Sequence, residues 1–414
     1  MAITVGAHGQ QKDTLTFAGV ESSSYRLYLD RDWKQLSRFC DRAIRAHYDY
    51  YYLRMRAGIA CYETGNYRKA IRHFIKALDF NDGDETALRY LYESYQYAGQ
   101  YEESRNVSRQ LDTASLRMTG ADRLKDLSFV SLEGAMKFSD SSAKFRPATY
   151  VQLAGQHYIQ KRFSLFHALT YYGQDEYRQS IRQYQYYLSS NIPLKHNLLL
   201  SPALHVLHNT LKVLEIQTTT KVTMPSQQPP QSGQPQPQPT VTVNTTTAYV
   251  PKQTSAMAGA LTLTQRRTYG DVSLGITACV FDTASQYQVQ AGLTCYPFGN
   301  RKLALGALLY HHTETNYRQS NLAIAPCVSS LIRPKLLLSA SWLRNRGGNV
   351  AESNAYLINN SIDVSLSRFT MMAEYSLLPH FQAYAVYSYD TRQEKFTRFH
   401  YHYHLALLGI KFIP

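Results

Sequence analysis

From about residue 127 to its end, the chain alternates apolar and polar residues with a period of two. In DVSLGITACVF (271–281), Val272 and Leu274 lie on one face of an extended chain, and Ser273 and Thr277 lie on the other. This alternation is typical of β-strands that have a single apolar face. Similar segments follow one another along the second half of the chain. The sequence therefore predicts an extended antiparallel β structure there.

Two architectures fit this pattern. A soluble sandwich buries its apolar faces between two sheets, whereas a transmembrane barrel turns them toward lipid. The polar face is rich in Gln, Thr, Ser, Gly and His, and aromatic residues cluster near strand ends, which favours the barrel. The candidate strands number about fifteen, but bacterial barrels use an even number. We predict an antiparallel transmembrane β-barrel over residues 127–414 with about fourteen strands, and sixteen as the next candidate.

The segment 211–252 interrupts this pattern. It includes the Pro/Gln-rich and Thr-rich stretch PSQQPPQSGQPQPQPTVTVNTTT (225–247). Such composition predicts a flexible or polyproline-like segment. If the barrel begins near residue 127, five strands precede the segment, and it is an extracellular loop. A linker between a domain at 127–210 and a barrel of about ten strands is the alternative.

The polar faces of these strands supply the candidate lumen residues. These are Gln288, Gln290, Asp363, Glu374, His400, His402 and His404. The three histidines alternate along one strand, about 7 Å apart, which is too far to bind one ion without a further ligand. For the histidines we predict polar lining of the lumen or interfacial positions on a strand, and no metal site, with an anion or metal site as the alternative.

The C-terminal segment RFHYHYHLALLGIKFIP (398–414) alternates but changes parity. Tyr401 and Leu405 share one face, whereas Ile410 and Phe412 take the other, so a β-bulge is expected near 406–408. The end resembles the last strand of outer-membrane barrels, on Gly409, Ile410 and Phe412, although Pro414 replaces a terminal aromatic residue. The resemblance implies recognition by the barrel insertion machinery.

The first part of the chain contains a repeat with a period of 34 residues, which relates Gly65 to Gly99 and Tyr67 to Tyr101. Residues 51–84 resemble the tetratricopeptide repeat (TPR). The positions that carry this resemblance or the packing expected from it are Gly58, Tyr62, Gly65, Tyr67, Ala70, Phe74, Ala77, Gly99 and Tyr101. Small residues allow close helix approach and aromatic residues fill the gaps between stacked pairs. The resemblance implies about three repeats over 17–118 and a groove for a periplasmic protein or peptide. Packing of the repeats against the rest of the chain is the alternative.

The whole chain resembles the TPR-bearing outer-membrane barrel proteins common in the Bacteroidota. The resemblance implies an α + β multidomain protein, a short TPR α-solenoid followed by the barrel, in the bacterial outer membrane with the TPR region in the periplasm. Residues 1–16 are expected to be the remnant of a leader. The implied function is a channel or export component, with a non-conducting structural or assembly scaffold as the alternative.

Composition and motifs restrict the remaining possibilities. The net charge of +14 without a basic helix or Lys/Arg cluster favours outer-membrane lipid and lipopolysaccharide as partners over nucleic acid. A GxSxG, HExxH or phosphate-loop motif is missing from the sequence. We therefore predict no enzyme and no cofactor, and an outer-membrane hydrolase is the least favoured alternative.

Overall fold

The computed structural model describes residues 15–141, 145–176, 179–223, 239–281, 285–314, 317–358, 363–394 and 397–414. It divides into an N-terminal helical region and a β-barrel. Of the expected leader remnant, residues 1–14 lie outside the described residues.

Seven α-helices form the helical region, counted over residues 15–126. They are α1 (Phe17–Leu29), α2 (Trp33–Arg45), α3 (Tyr51–Glu63), α4 (Tyr67–Leu78), α5 (Glu85–Ala98), α6 (Tyr101–Ser108) and α7 (Thr113–Thr119). Side chains of Asp32, Asn66 and Asp84 accept hydrogen bonds from the first turns of α2, α4 and α5, which satisfies backbone donors there. Within the described part of the chain, no helix has the length and apolar character needed to span a membrane.

Consecutive helices from α1 to α6 pack against each other. Gly58 on α3 lies so close to α4 that an added Cβ would be 2.6 Å from the Phe74 ring. Phe74, Ala70 and Ala77 are fully buried in this contact. The small and aromatic residues therefore allow the close helix packing that the repeat pattern requires.

Fourteen antiparallel strands form the barrel. They are β1 (Leu127–Ser139), β2 (Phe145–Ile159), β3 (Phe163–Glu176), β4 (Gln179–Pro193), β5 (Leu198–Thr223), β6 (Thr240–Arg266), β7 (Gly270–Val280), β8 (Ser285–Cys295), β9 (Ala304–Glu314), β10 (Tyr317–Arg333), β11 (Leu336–Asn345), β12 (Val364–Leu378), β13 (Phe381–Gln393) and β14 (His400–Phe412). Each strand pairs with its sequence neighbours, and β1 pairs with β14 to close the sheet. The predicted fourteen-stranded barrel is confirmed, and the sandwich and the ten-stranded barrel are excluded.

The alternation in sequence separates an outer from an inner barrel face. On β7, Leu274 and Ile276 are 62% and 59% exposed on the outside, whereas Thr277 is buried inside. On β8, Val289 and Leu293 point outward and Gln288 points inward. Because these outer side chains are apolar and uncovered, the barrel wall has the surface of a transmembrane barrel.

The segment 211–252 differs from the expected flexible loop. Residues 211–223 belong to β5 and residues 240–252 belong to β6, paired from Leu198↔Gln265 to Thr223↔Thr240. Thr and Val, which favour strands, dominate these two stretches. The Pro/Gln-rich residues 224–238 lie outside the described residues.

The expected β-bulge near 406–408 is also wrong. Strand β14 pairs residue for residue with β13 from Gln393↔His400 to Phe381↔Phe412, and its pairing with β1 also has no shift. The strand keeps one parity, so Tyr401 and Leu405 face inward, and Ile410 and Phe412 face outward. The barrel interior is packed with aromatic side chains at this level, which is why an apolar-looking face points inward.

Candidate functional site

The connection between β11 and β12 folds into the barrel. We call residues 346–358 the inner segment. Ala351 and Ala355 are buried inside the barrel, and Glu352 and Leu357 pair as an isolated β-bridge. At its tip, Ser353, Asn354 and Ala355 all have positive φ angles, of 52°, 59° and 63°. Non-glycine residues rarely adopt this left-handed conformation, so the surrounding wall must hold it in place.

Hydrogen bonds attach the tip of the inner segment to the opposite wall. The Nδ1 of His205 on β5 donates to the carbonyl oxygen of Ala355 at 2.8 Å. The amide of Asn354 donates to the Ser201 carbonyl at 3.0 Å, and its own oxygen accepts from Thr262 at 2.9 Å. These contacts reach β5 and β6 from the β11–β12 connection, so the inner segment crosses the lumen.

Further contacts hold the inner segment on both sides of its tip. The Gln288 side chain donates to the Ala351 carbonyl at 2.7 Å and accepts from its amide at 3.1 Å. Glu352 forms an ion pair with Arg368 on β12. The hydroxyl of Tyr356 accepts from Gln152 on β2 at 2.5 Å. These contacts satisfy polar groups of the inner segment, as a buried segment requires.

A separate cavity lies inside the barrel near the helical region. Its volume is about 420 Å³. Its wall side is lined by the small polar residues Thr294, Cys327, Ser329, Ser339, Ser341 and Thr370, together with apolar residues such as Leu337, Ala340 and Met372. Ala98 and Gly99, at the α5–α6 turn, and Arg301, in the β8–β9 connection, close its other side. The cavity therefore lies between the β8–β12 wall and the helices.

The helical region is attached to the barrel end that carries the β6–β7 and β8–β9 connections. We call this the helical end. Arg68 on α4 donates to the Arg267 carbonyl at 2.8 Å and pairs with Asp271. The Asn300 amide donates to the Gly65 carbonyl at 2.7 Å, and Arg301 donates to the Tyr101 hydroxyl at 2.6 Å. The turns that join the helices therefore rest on turns that join the strands.

A second group of contacts comes from α6. Glu103 forms an ion pair with Arg266, and both side chains are largely buried. Burial raises the pKa of the Glu103 carboxyl, although Arg266 acts in the opposite direction. The guanidinium of Arg105 lies 3.9 Å from the centre of the Tyr158 ring. The attachment of α6 therefore includes a buried ion pair and a cation–π contact.

Four of the predicted lumen residues lie on or beside the inner wall. Gln288 contacts the inner segment, and Gln290 donates to Thr262 at 2.9 Å. Glu374 pairs with Lys411 at 3.2 Å. Asp363, just before β12, accepts a hydrogen bond of 2.6 Å from the Tyr401 hydroxyl.

The three histidines of β14 point the other way, which corrects the prediction that they line the lumen. His404 lies 2.8 Å from the Tyr387 hydroxyl on the outer face, and His402 stacks on the Tyr389 ring. The inward positions belong to Tyr401 and Tyr403, which are buried against Phe145. Across the residues that the structure describes, no group of three His, Cys, Asp or Glu side chains is placed to hold a metal ion.

The remaining residues take part in helix turns and packing rather than in a site. Gly65 and Gly99 lie in left-handed turns after α3 and α5, where glycine is favoured. The Tyr62 hydroxyl donates to Glu93 at 2.8 Å. Gly409 faces inward beneath the Tyr384 ring, since an added Cβ would be 2.2 Å from it. Cys40 and Cys61 are free buried thiols.

The sequence analysis missed the inner segment. Length was the feature that could have predicted it, because 346–363 is long for a hairpin connection. The connection also contains the Gly347–Gly348 pair. Its hydrogen-bond partners on β2, β5 and β6 are far away in sequence and follow no local pattern.

Comparisons with known proteins give only distant matches. No family model and no curated protein matches the sequence. Among solved structures, a mutant of the TodX monoaromatic hydrocarbon channel is 9% identical, with 73% of this chain and 95% of that chain covered and a TM-score of 0.47. The CymD monoaromatic hydrocarbon channel is 9% identical (70% and 90% covered, TM-score 0.45). The Ralstonia pickettii toluene transporter TbuX is 10% identical (70% and 90% covered, TM-score 0.43). At these scores, the likeness says nothing about what this chain binds or transports.

Proposed function

We propose that this protein is a narrow outer-membrane channel whose lumen is restricted by the inner segment, with the helical region in the periplasm. The apolar outer face of the strands supports insertion in a membrane. The periplasmic location of the helical region is supported by the barrel end to which it is attached. Most strand connections at that end are short turns, and in such barrels the short turns face the periplasm.

The observation that carries the proposal is the inner segment, which crosses the lumen and leaves a cavity near the helical end. Hydroxyl groups of Ser339, Ser341 and Thr370 line the cavity beside the apolar side chains of Leu337 and Met372. A passage of this kind is suited to small solutes rather than to a polymer. Arg301 at its helical end favours anions over cations.

Conductance of the full-length protein in a planar lipid bilayer tests this function. We expect small, discrete steps with a modest preference for anions. Heat-dependent gel mobility on the same sample establishes that the barrel is folded. Steps as large as those of an open barrel of this size would contradict the restriction by the inner segment.

A non-conducting scaffold is the second candidate. It is favoured by the burial of inward side chains such as Gln152, His205 and Gln288 against the inner segment. In that case, folded protein is silent in the bilayer. The helical region then carries the function.

In either case, we propose that the helices are TPR-like and bind a periplasmic protein or peptide. Tyr62, Tyr67, Tyr90 and Tyr97 form a cluster of rings whose centres lie 4.9–6.1 Å apart. Tyr97 is 52% exposed, so the cluster reaches the surface. Aromatic side chains of this kind are enriched at protein interfaces.

A photo-crosslinking residue at Tyr97 of the full chain tests this docking role. The same residue at Lys34, exposed on α2, is the matched control. We expect one defined periplasmic protein to crosslink at position 97 and not at position 34. Equal crosslinking at both positions would contradict the docking role.

The lipid, lipopolysaccharide and insertion-machinery partners are also part of this proposal. Ile410 and Phe412 on β14 are exposed on the outer face, where a binding partner can reach them. The net charge of +14 supports attraction to an anionic lipid surface. Replacing Phe412 with Asp is expected to reduce the amount of barrel inserted in the outer membrane.

A further inference from the structure

The hairpin of β5 and β6 extends beyond the rest of the barrel. Strand β4 pairs with β5 only as far as Val213, and β7 pairs with β6 only from Met257. Beyond this level, residues 214–223 and 240–249 pair only with each other among the residues that the structure describes. We call these two stretches the ribbon. At about 3.4 Å per residue, ten residues on each strand project by roughly 30 Å.

The ribbon has one apolar face. The cross-strand pairing places side chains of paired residues on the same side. One side contains Leu214, Ile216, Val222, Val241, Val243 and Tyr249, together with threonines. The other side contains Gln217, Thr219, Lys221 and Asn244. The ribbon is therefore two-faced, and among the residues that the structure describes nothing packs beneath it.

The apolar ribbon face is exposed. Ile216 and Val222 are each 52% exposed, and Val241, Val243 and Tyr249 are exposed to a similar or greater degree. An isolated two-stranded hairpin is only marginally stable in water. A one-sided apolar ribbon of this length therefore requires cover.

The apolar ribbon face continues the outer wall of the barrel. Leu204 and Val206 on β5 have the same parity as Ile216, and Met257 and Leu261 on β6 have the same parity as Val243. Lipid covers the wall within the membrane. Lipid cannot cover the ribbon, because the ribbon projects past the rim of the barrel. The surface that covers the ribbon must therefore be in the water above the membrane.

We propose that a second copy of this chain covers the ribbon, in a two-fold dimer whose axis is normal to the membrane. Such an axis leaves both barrels correctly oriented and brings the same wall and the same ribbon face of each copy together, as a two-fold interface requires. This inference rests on the proposed membrane insertion.

The ribbon determines whether this dimer forms. Apolar side chains of the wall gain little when they exchange lipid for protein, since lipid is equally apolar. Apolar side chains of the ribbon exchange water for protein and so supply the driving force. The ribbon face alone is smaller than a standard interface, and the wall beneath it adds contact area.

Two pairs of substitutions with the same added charge test this dimer. Ile216→Lys with Val243→Lys places two lysines on the apolar face, and Gln217→Lys with Asn244→Lys places two on the polar face. The full-length protein is examined by light scattering in detergent and by native mass measurement in lipid nanodiscs. We expect a dimer for the wild type and for the polar-face control, and at least ten-fold weaker dimerisation for the apolar-face variant.

Removal of the ribbon and chemical crosslinking complete the test. Joining residues 213 and 250 through Asn-Gly retains all barrel pairing, and this protein is expected to be monomeric with unchanged conductance. In a Cys295→Ser background, Val243→Cys is expected to crosslink to its own copy in membranes, and Asn244→Cys is not. A monomeric wild type in both detergent and lipid, a dimer that survives removal of the ribbon, or equal effects of the two lysine pairs would overturn the proposal. Failure of the barrel to conduct leaves the mass and crosslinking readouts unaffected.

Discussion

The Nδ1 of His205 and the carbonyl oxygen of Ala355 are 2.8 Å apart, although 150 residues separate them in the chain. His205 lies in the middle of a barrel strand, and Ala355 lies at the tip of the inner segment. This hydrogen bond joins opposite sides of the lumen. It holds in place the segment that restricts the proposed passage.

The first prediction concerns this bond. His205→Phe keeps a ring of similar size but leaves the buried Ala355 carbonyl without its donor, which costs about 1–3 kcal/mol. We expect faster hydrogen–deuterium exchange of residues 346–358 and more frequent current fluctuations. His208→Phe, three residues away on the outer face, is the control and is expected to change neither. Unchanged exchange in the His205 variant would show that this bond does not hold the segment.

The second prediction concerns helix packing. Gly58→Ala places a Cβ 2.6 Å from the fully buried Phe74 ring. Overpacking costs about 1–3 kcal/mol, and we expect it to exceed the helix-propensity gain of about 1 kcal/mol. With Trp342 replaced by Phe, Trp33 is the only tryptophan and reports urea unfolding of the helical region. The urea midpoint of unfolding is expected to fall for Gly58→Ala. It is expected to stay constant for Gly83→Ala, because a Cβ added at Gly83 meets open space.

The third prediction concerns the attachment of the helical region to the barrel. Arg266→Met leaves the buried Glu103 carboxylate without its partner, which costs about 3–5 kcal/mol. We expect faster trypsin cleavage at Arg123 and Lys125, in the connection between the helices and β1. The double variant with Glu103→Leu is expected to restore resistance, because neither charge remains. Arg267→Met, whose side chain is exposed, is the control; equal cleavage in both single variants would contradict the account.

The fourth prediction concerns pH. His73 is buried, with its Nδ1 3.3 Å from Arg54 and its Nε2 4.0 Å from Asp41. Burial and then the Arg54 charge lower the pKa of His73 to about 3. The unfolded chain binds a proton near pH 6.5, whereas the folded helices do not, so stability decreases as pH falls from 6.5 toward 3.

Urea unfolding reported by Trp33 between pH 7 and pH 5 measures this effect. The free energy of unfolding of the parent protein is expected to decrease by about 1.4 kcal/mol per pH unit below pH 6.5 because of His73. His73→Gln is expected to lose this part of the slope, while contributions of other groups remain. Parallel pH dependence of the two proteins would show that His73 does not cause it.

Local patterns in the sequence predicted the barrel wall, because a period of two is fixed by the strand itself. Leu274 and Thr277 face outward and inward as their alternation requires. The same logic failed at His402 and Tyr401, since alternation identifies two faces but not which one is packed inside. Thr-rich residues 240–247 were assigned to a loop because the neighbouring Pro/Gln composition dominated that interpretation. The inner segment escaped prediction because its position depends on contacts between residues distant in sequence, such as His205 and Ala355.

The most direct test of the central claim is the bilayer conductance of the full-length protein with residues 349–357 replaced by two glycines. The matched control is the protein in which residues 213 and 250 are joined through Asn-Gly. It also lacks a segment of the chain, the ribbon, but that segment lies outside the lumen. The account predicts steps several-fold larger than those of the wild type for the shortened protein, and unchanged steps for the control. Folded shortened protein with the same steps as the wild type, or with none, would contradict the claim that the inner segment restricts a channel.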